Sequence, residues 1–161
     1  TGRPFSLLML DLDNFKAIND NFGHAAGDAS LGFFVKTAAR LLPEPAMLGR
    51  LGGDEFCVLL PETDLQEAET VADDLVRLFR GTVFRWKGQA IPLSVSIGGA
   101  EWSASDPAGI AGTIENADTA LYETKRRGRN GCSIFRQTSA GAKSPVLLRA
   151  QSVGPKIGRT Q

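Results

Sequence analysis

A chain of 161 residues with 42% hydrophobic content is long enough for one domain with a single sizeable core. Its 18 basic and 18 acidic residues cancel, which argues against the strong positive field of a general polyanion or nucleic-acid binder. No apolar stretch approaches the roughly 20 residues needed to cross a bilayer, and no signal-peptide pattern opens the chain.

The two cysteines, Cys57 and Cys132, sit in apolar strand-like runs without metal-ligand spacing and read as reduced core residues of a cytosolic domain. The start at Thr1 rather than Met suggests a piece of a longer protein, with a sensor or membrane domain upstream. Charge is unevenly spread. Residues 137–161 hold Lys143, Arg149, Lys156 and Arg159 and no acid, so residues 1–136 carry a net charge of −4. A body of that sign would need local cations and a metal to hold a phosphate ligand.

In chain order, "FSLLMLDL" at 5–12 is an apolar run ending in acid, suited to a buried central strand. Phe15, Ile18 and Phe22 recur at helical spacing, which predicts a short helix over 14–22 closed by Gly23. From Asp28 to Leu42, apolar residues recur every three or four positions, predicting a second helix stopped by Pro43. Met47–Arg50 and Phe56–Leu60 flank Gly-Gly as a β-hairpin that Pro61 ends.

Asp64 with Glu67 forms a helix cap for residues 65–80. "TVFRWKGQAIPLSVSIGGA" reads as two strands around a Lys87-Gly88 turn. A last helix covers about 107–127, and "CSIF" is a final short strand. The order β-α-α-β-β-α-β-β-α-β predicts an α+β fold, helices packed on a largely antiparallel sheet, over residues 1–136. Residues 137–161, rich in Ser, Gly, Ala and Pro without periodicity, are expected to be a disordered tail.

The chemistry concentrates where strand ends carry acids. Asp11 and Asp13 close the first strand, while Asp54 and Glu55 stand at the hairpin tip in "RLGGDEFCVLL". If the two elements are neighbours in one sheet, carboxylates cluster at its edge, and a divalent metal relieves their repulsion. Mg²⁺ suits such a site because it takes oxygen ligands and shares them with substrate phosphates. Lys16 opens a helix whose N–H groups can meet phosphate oxygens. Lys125 and Arg129 could reach the same ligand from another side. Asn19 and Asp28 offer an amide and a carboxylate fit to read a purine edge, a carboxylate accepting well from guanine's N–H donors. Taken singly, each feature has a plainer reading as a turn, a cap or a solvated helix end, as does His24 beside Gly23.

Together, "LDLDNFKAINDNFGHAAGD", "RLGGDEFCVLLPETD", "LSVSIGGA" and "ADTALYETKRRGRNG" closely resemble the GGDEF family, the diguanylate cyclases, across residues 8–136. The resemblance implies a five-stranded sheet wrapped by helices, similar to nucleotidyl cyclase and polymerase palm domains with a ferredoxin-like core. It implies condensation of two GTP molecules into cyclic di-GMP, with Mg²⁺ or Mn²⁺ as cofactor and a homodimer as the catalytic unit. By motif, Asp11, Asp54 and the backbone carbonyl of Leu12 match the metal ligands. Asp54 also matches the group assigned to the ribose 3′-hydroxyl, and Lys16 the one that offsets charge on the transferring phosphoryl. Asn19, His24 and Asp28 match substrate-reading positions, and Lys125 with Arg129 the triphosphate contacts. Glu55 completes the signature.

Three departures accompany the match. Pro43, Glu44, Pro45 and Ala46 stand where many members carry an inhibitory Arg-x-x-Asp product site. The usual opening segment and its helix are absent, and Leu51 replaces an aromatic residue. The alternative reading is a non-catalytic GTP-binding regulatory module. A nucleotidyltransferase with another substrate is a third, against which Asn19 and Asp28 argue.

Overall fold

The computed structural model describes residues 3–105, 107–137 and 143–146. Strand β1 (Phe5–Leu12) is followed by helices α1 (Phe15–Phe22) and α2 (His24–Ala39), then strands β2 (Met47–Gly52) and β3 (Glu55–Pro61). Helix α3 (Leu65–Arg80) leads to the strands β4 (Val83–Trp86), β5 (Gln89–Pro92) and β6 (Val95–Trp102). Helix α4 (Gly109–Arg126), β7 (Gly131–Gln137) and β8 (Lys143–Val146) complete the order.

The main sheet runs β2-β3-β1-β6-β7-β8, with β4 and β5 forming a separate two-stranded hairpin. Strand β1 is antiparallel to both β3 and β6, and β6 with β7 is the parallel pair, joined by α4 as a crossover. The fold is thus α+β with a largely antiparallel sheet, as predicted.

Alternation along β1 explains how an almost wholly apolar strand fits a covered sheet. Leu8, Leu10 and Leu12 join the larger core with Phe34 of α2, Phe56 of β3 and Leu75 and Phe79 of α3. Phe34 centres that core, its ring 4.8 Å from Phe56 and 4.7 Å from Phe79. Met9 faces the opposite way, into a smaller cluster with Ala117, Ala120 and Leu121 of α4. Asp11, two residues beyond Met9, therefore emerges on the α4 side.

Helix α3 has the predicted bounds and capping box. The Glu67 N–H donates to Asp64 at 2.8 Å, and the Asp64 N–H donates to Glu67 at 3.1 Å. Other elements differ. Helix α2 begins at His24 rather than Asp28, because Gly23 at φ 87° ends α1 and starts α2 without an intervening loop. It stops at Ala39 while Leu41 and Leu42 still pack on the core, so apolar periodicity outruns the helix. The single strand expected after Gly88 is two, β5 and β6, divided at Leu93-Ser94 just after Pro92, which has no N–H for a ladder. The disorder expected from residue 137 is not found at Lys143–Val146, where β8 pairs antiparallel with β7. The remainder of that tail lies outside the described residues.

Among the described residues, no helix is long and apolar enough to cross a membrane. Both cysteines are free thiols. Burial raises the Cys132 pKa well above the ordinary thiol value, and the Asp73 carboxylate, accepting from its sulfur at 3.0 Å, raises it further. The proton is then held more tightly in the folded state than in the unfolded one. Its contribution to stability is complete below the ordinary thiol pKa and declines as pH rises through and beyond it. We expect Cys132 to resist alkylation at pH 8 until the chain is unfolded in urea, as peptide mapping of the labelled thiols would register.

Candidate active site

The site forms where β1 ends beside the β2–β3 turn. Asp11 is the register partner of Glu55, and the Leu12 N–H donates to the Asp54 carbonyl at 3.1 Å. These backbone contacts hold the hairpin tip against the strand end, bringing Asp11, Leu12, Asp54 and Glu55 together. Gly53 takes φ 53°, a conformation glycine adopts at little cost. The Arg50 guanidinium closes the turn from within, donating to the Gly53 carbonyl through Nε at 2.9 Å and Nη2 at 2.7 Å. The sequence reading left Arg50 out; its place three residues before Gly53 was the available signal.

Asp11 is 8% exposed. Burial lifts its pKa, a hydrogen bond from Lys125 lowers it, and the charge of Asp54 lifts it again. Lys125 Nζ donates to Asp11 Oδ2 at 2.6 Å, so the end of α4 reaches the strand end directly. Among the described residues, no group of three His, Cys, Asp or Glu side chains gathers as a metal cage. The candidate donor set is smaller and made of oxygen: the Asp11 and Asp54 carboxylates and the Leu12 carbonyl. Two repelling carboxylates and a carbonyl fit a hard divalent cation that completes its shell with water and phosphate.

Asp13 does not join that set as an open ligand. Its Oδ2 accepts from Ser94 Oγ at 2.7 Å and from the Asn130 N–H at 3.0 Å, and its Oδ1 accepts from Ser96 Oγ at 2.6 Å. The exposed ammonium of Lys16 donates to Asp20 of its own helix at 2.7 Å. Arg129 is exposed in the turn after α4, and His24 is exposed at the first residue of α2.

Asn19 and Asp28 are brought close by a device the sequence reading missed. A Cβ at Gly27 would lie 1.9 Å from Asn19 Oδ1, so the absent side chain is what lets Asn19 lie against the first turn of α2 beside Asp28. An open groove of about 560 Å³ then runs from Asp28 past Leu31 and Val35 to Arg50 and Phe56 at the hairpin. A separate cleft of about 390 Å³ lies between α1 and the β5–β6 junction, and Asp13, Ser94 and Asn130 are among the residues that line it.

A largely antiparallel sheet wrapped by helices, with paired acids at the end of its central strand, is the palm-like architecture of nucleotidyl cyclases. The family model described as "Diguanylate cyclase, GGDEF domain" matches residues 1–131, and the chain belongs to the GGDEF domain family. It is 35% identical over 137 residues to a protein named diguanylate cyclase from Vibrio cholerae, covering 85% of this chain and 42% of the relative. The chain thus spans less than half of that relative's length. Among solved structures, it superposes with TM-score 0.76 and 34% identity on the active GGEEF domain of a diguanylate cyclase from Vibrio cholerae, covering 84% of this chain and 85% of that one. The GGDEF domain of DgcB from Caulobacter crescentus in complex with c-di-GMP gives TM-score 0.77 at 28% identity, covering 83% of this chain and 78% of that one.

Proposed function

We propose that this domain is a diguanylate cyclase, condensing two GTP molecules into cyclic di-GMP with release of two pyrophosphates, each of two copies presenting one GTP to the other. The observation that carries the reading is the clasp between strand end and hairpin. The bond from the Leu12 N–H holds Asp54 beside Asp11, and Lys125 adds a cation 2.6 Å from Asp11.

In each half of the reaction the ribose 3′-oxygen of one GTP attacks the α-phosphorus of the other. The new O–P bond forms, the bond between that phosphorus and the bridging oxygen to the β-phosphate breaks, and pyrophosphate leaves. Asp54 steers or accepts the 3′-hydroxyl proton. Asp11, Asp54 and the Leu12 carbonyl would hold Mg²⁺ or Mn²⁺, which would offset charge developing on the phosphoryl oxygens. Lys16 moves from Asp20 to that phosphoryl, Lys125 and Arg129 take the triphosphate, and Asn19 with Asp28 reads the guanine edge, His24 adding a contact. Glu55 lies beside the set as the register partner of Asp11.

One domain holds one GTP, so catalysis requires a homodimer, and much of the protein's contribution is alignment. With Pro43–Ala46 in place of Arg-x-x-Asp, product inhibition at that position is not expected. A GTP substrate assigns the domain to the cytoplasm, with any sensor or membrane anchor in another part of a longer protein.

The test is incubation of the purified chain with GTP and Mg²⁺ over a range of protein concentrations. Cyclic di-GMP whose yield per molecule rises with concentration supports the cyclase; GTP binding with no product at any concentration supports the regulatory module instead.

Gly27 supplies a narrower expectation. Gly27→Ala displaces Asn19 from α2 and lowers GTP affinity by about tenfold, the cost of one well-placed hydrogen bond. Unfolding free energy should shift by less than about 1 kcal/mol, since alanine favours the helix. Titration calorimetry and urea denaturation of the same variant separate the two effects.

A further inference from the structure

Asp13 has no role in the chemistry above, yet it is 4% exposed and both its oxygens are engaged. Its three partners belong to different parts of the chain. Ser94 lies at the β5–β6 junction, Ser96 in β6, and Asn130 in the turn between α4 and β7. Its own N–H donates to the Ser94 carbonyl at 2.9 Å, so the residue is pinned by backbone as well as side chain.

The turn it grips is unusual. Gly128, Arg129 and Asn130 take φ of 110°, 63° and 49°, and two consecutive non-glycine residues in the left-handed region need outside support. Asn130 receives that support at both polar groups of its backbone. Its N–H is held by Asp13, and its carbonyl accepts from Arg80 Nη2 of α3 at 2.9 Å. Asp13 follows Asp11 by two residues on the segment that carries the proposed metal ligands. The turn bearing Arg129 is thereby tied directly to the strand end bearing Asp11.

We propose that Asp13, assisted by Arg80, is a positioning residue that holds the Gly128–Asn130 turn in register with the end of β1, and so sets how well Arg129 engages the triphosphate. This deepens the reading of the site as a GTP site and rests on it. Asp13 acts through its acceptor oxygens, and alanine at this position leaves the Asn130 N–H and both serine hydroxyls without them, whereas an amide could turn to keep its oxygen on the Asn130 N–H and donate to Ser96. Arg80 is exposed and bonds the turn from outside, so removing it tests the grip without opening the core.

The experiment compares binding of 3′-deoxy-GTP and 3′-deoxy-GMP, which lack the nucleophilic hydroxyl and cannot turn over, to the wild-type chain and to Asp13→Ala, Arg80→Ala, Arg129→Ala and the Asp13→Ala/Arg129→Ala double variant. Asp13→Ala should weaken 3′-deoxy-GTP about 10-fold or more while leaving 3′-deoxy-GMP within about twofold, and Arg80→Ala should do the same to a smaller degree. The double variant should bind no more weakly than Arg129→Ala alone, because the one residue acts through the other. Equal loss for both nucleotides, fully additive losses, or unchanged 3′-deoxy-GTP binding overturns the positioning role. If Asp13→Ala does not fold, Arg80→Ala decides, with a triphosphate-selective loss supporting the role and its absence overturning it. A wild-type chain that binds neither nucleotide overturns the GTP reading itself, a different result from a variant that behaves like the wild type.

Discussion

Asp54→Asn is expected to lower cyclic di-GMP synthesis by more than about 100-fold while leaving the fold intact. Loss of a residue that only orients a metal ligand commonly costs 10–100-fold in affinity or activity, and Asp54 is proposed as a ligand itself. The amide keeps the shape of the side chain but removes the charge that a divalent cation and the 3′-hydroxyl proton both require. The backbone clasp is untouched, because the Leu12 N–H bonds to the Asp54 carbonyl rather than to its side chain. Product formation, measured alongside circular dichroism and the thermal midpoint, separates chemistry from folding. A variant that retains full activity would sink the assigned mechanism.

Gly98→Ala should be the more damaging change to the molecule as a whole. A Cβ at Gly98 of β6 would lie 2.1 Å from the Leu121 nitrogen and 2.3 Å from the Ala117 oxygen of α4. These are backbone atoms, so no side-chain rotation relieves the contact and the helix must move off the sheet. Overpacking of this kind costs about 3 kcal/mol or more, which lowers the thermal midpoint of a domain this size by on the order of 10 °C. Displacing α4 also withdraws Lys125 from Asp11, so any protein that folds should lose GTP affinity as well as stability. Calorimetric melting paired with a GTP titration reads both, and an unshifted midpoint would show that α4 can yield at no cost.

Local signals carried the parts of this fold that depend on neighbours in sequence. The Asp64–Glu67 box set the start of α3, and an apolar run ending in acid marked β1 as a buried central strand. The Lys87-Gly88 turn was legible because both residues take positive φ, as a two-residue hairpin requires. Features set by contacts distant in sequence were hidden. Asp13 looked like another acid of the cluster until its partners, more than 80 residues away, came from Ser94, Ser96 and Asn130. The role of Gly27 depends on where the side chain of a neighbouring helix falls, and that of Gly98 on how closely a later helix approaches. Periodicity does not report either distance. Lys16 was legible as a cation near the helix start, but its engagement with Asp20 depends on a rotamer that no motif specifies.

The two bonds from Arg50 to the Gly53 carbonyl have a thermodynamic consequence. They order the signature turn during folding, so the conformational entropy of that loop is already lost before any nucleotide arrives, and little of the binding free energy is consumed in arranging it. A rigid half-site of this kind responds weakly to signals that act by loosening or tightening loops. In the proposed reaction, which needs two such halves, control would pass instead to how often they meet, and a tether that raises their effective concentration would change the rate without altering any contact within either one.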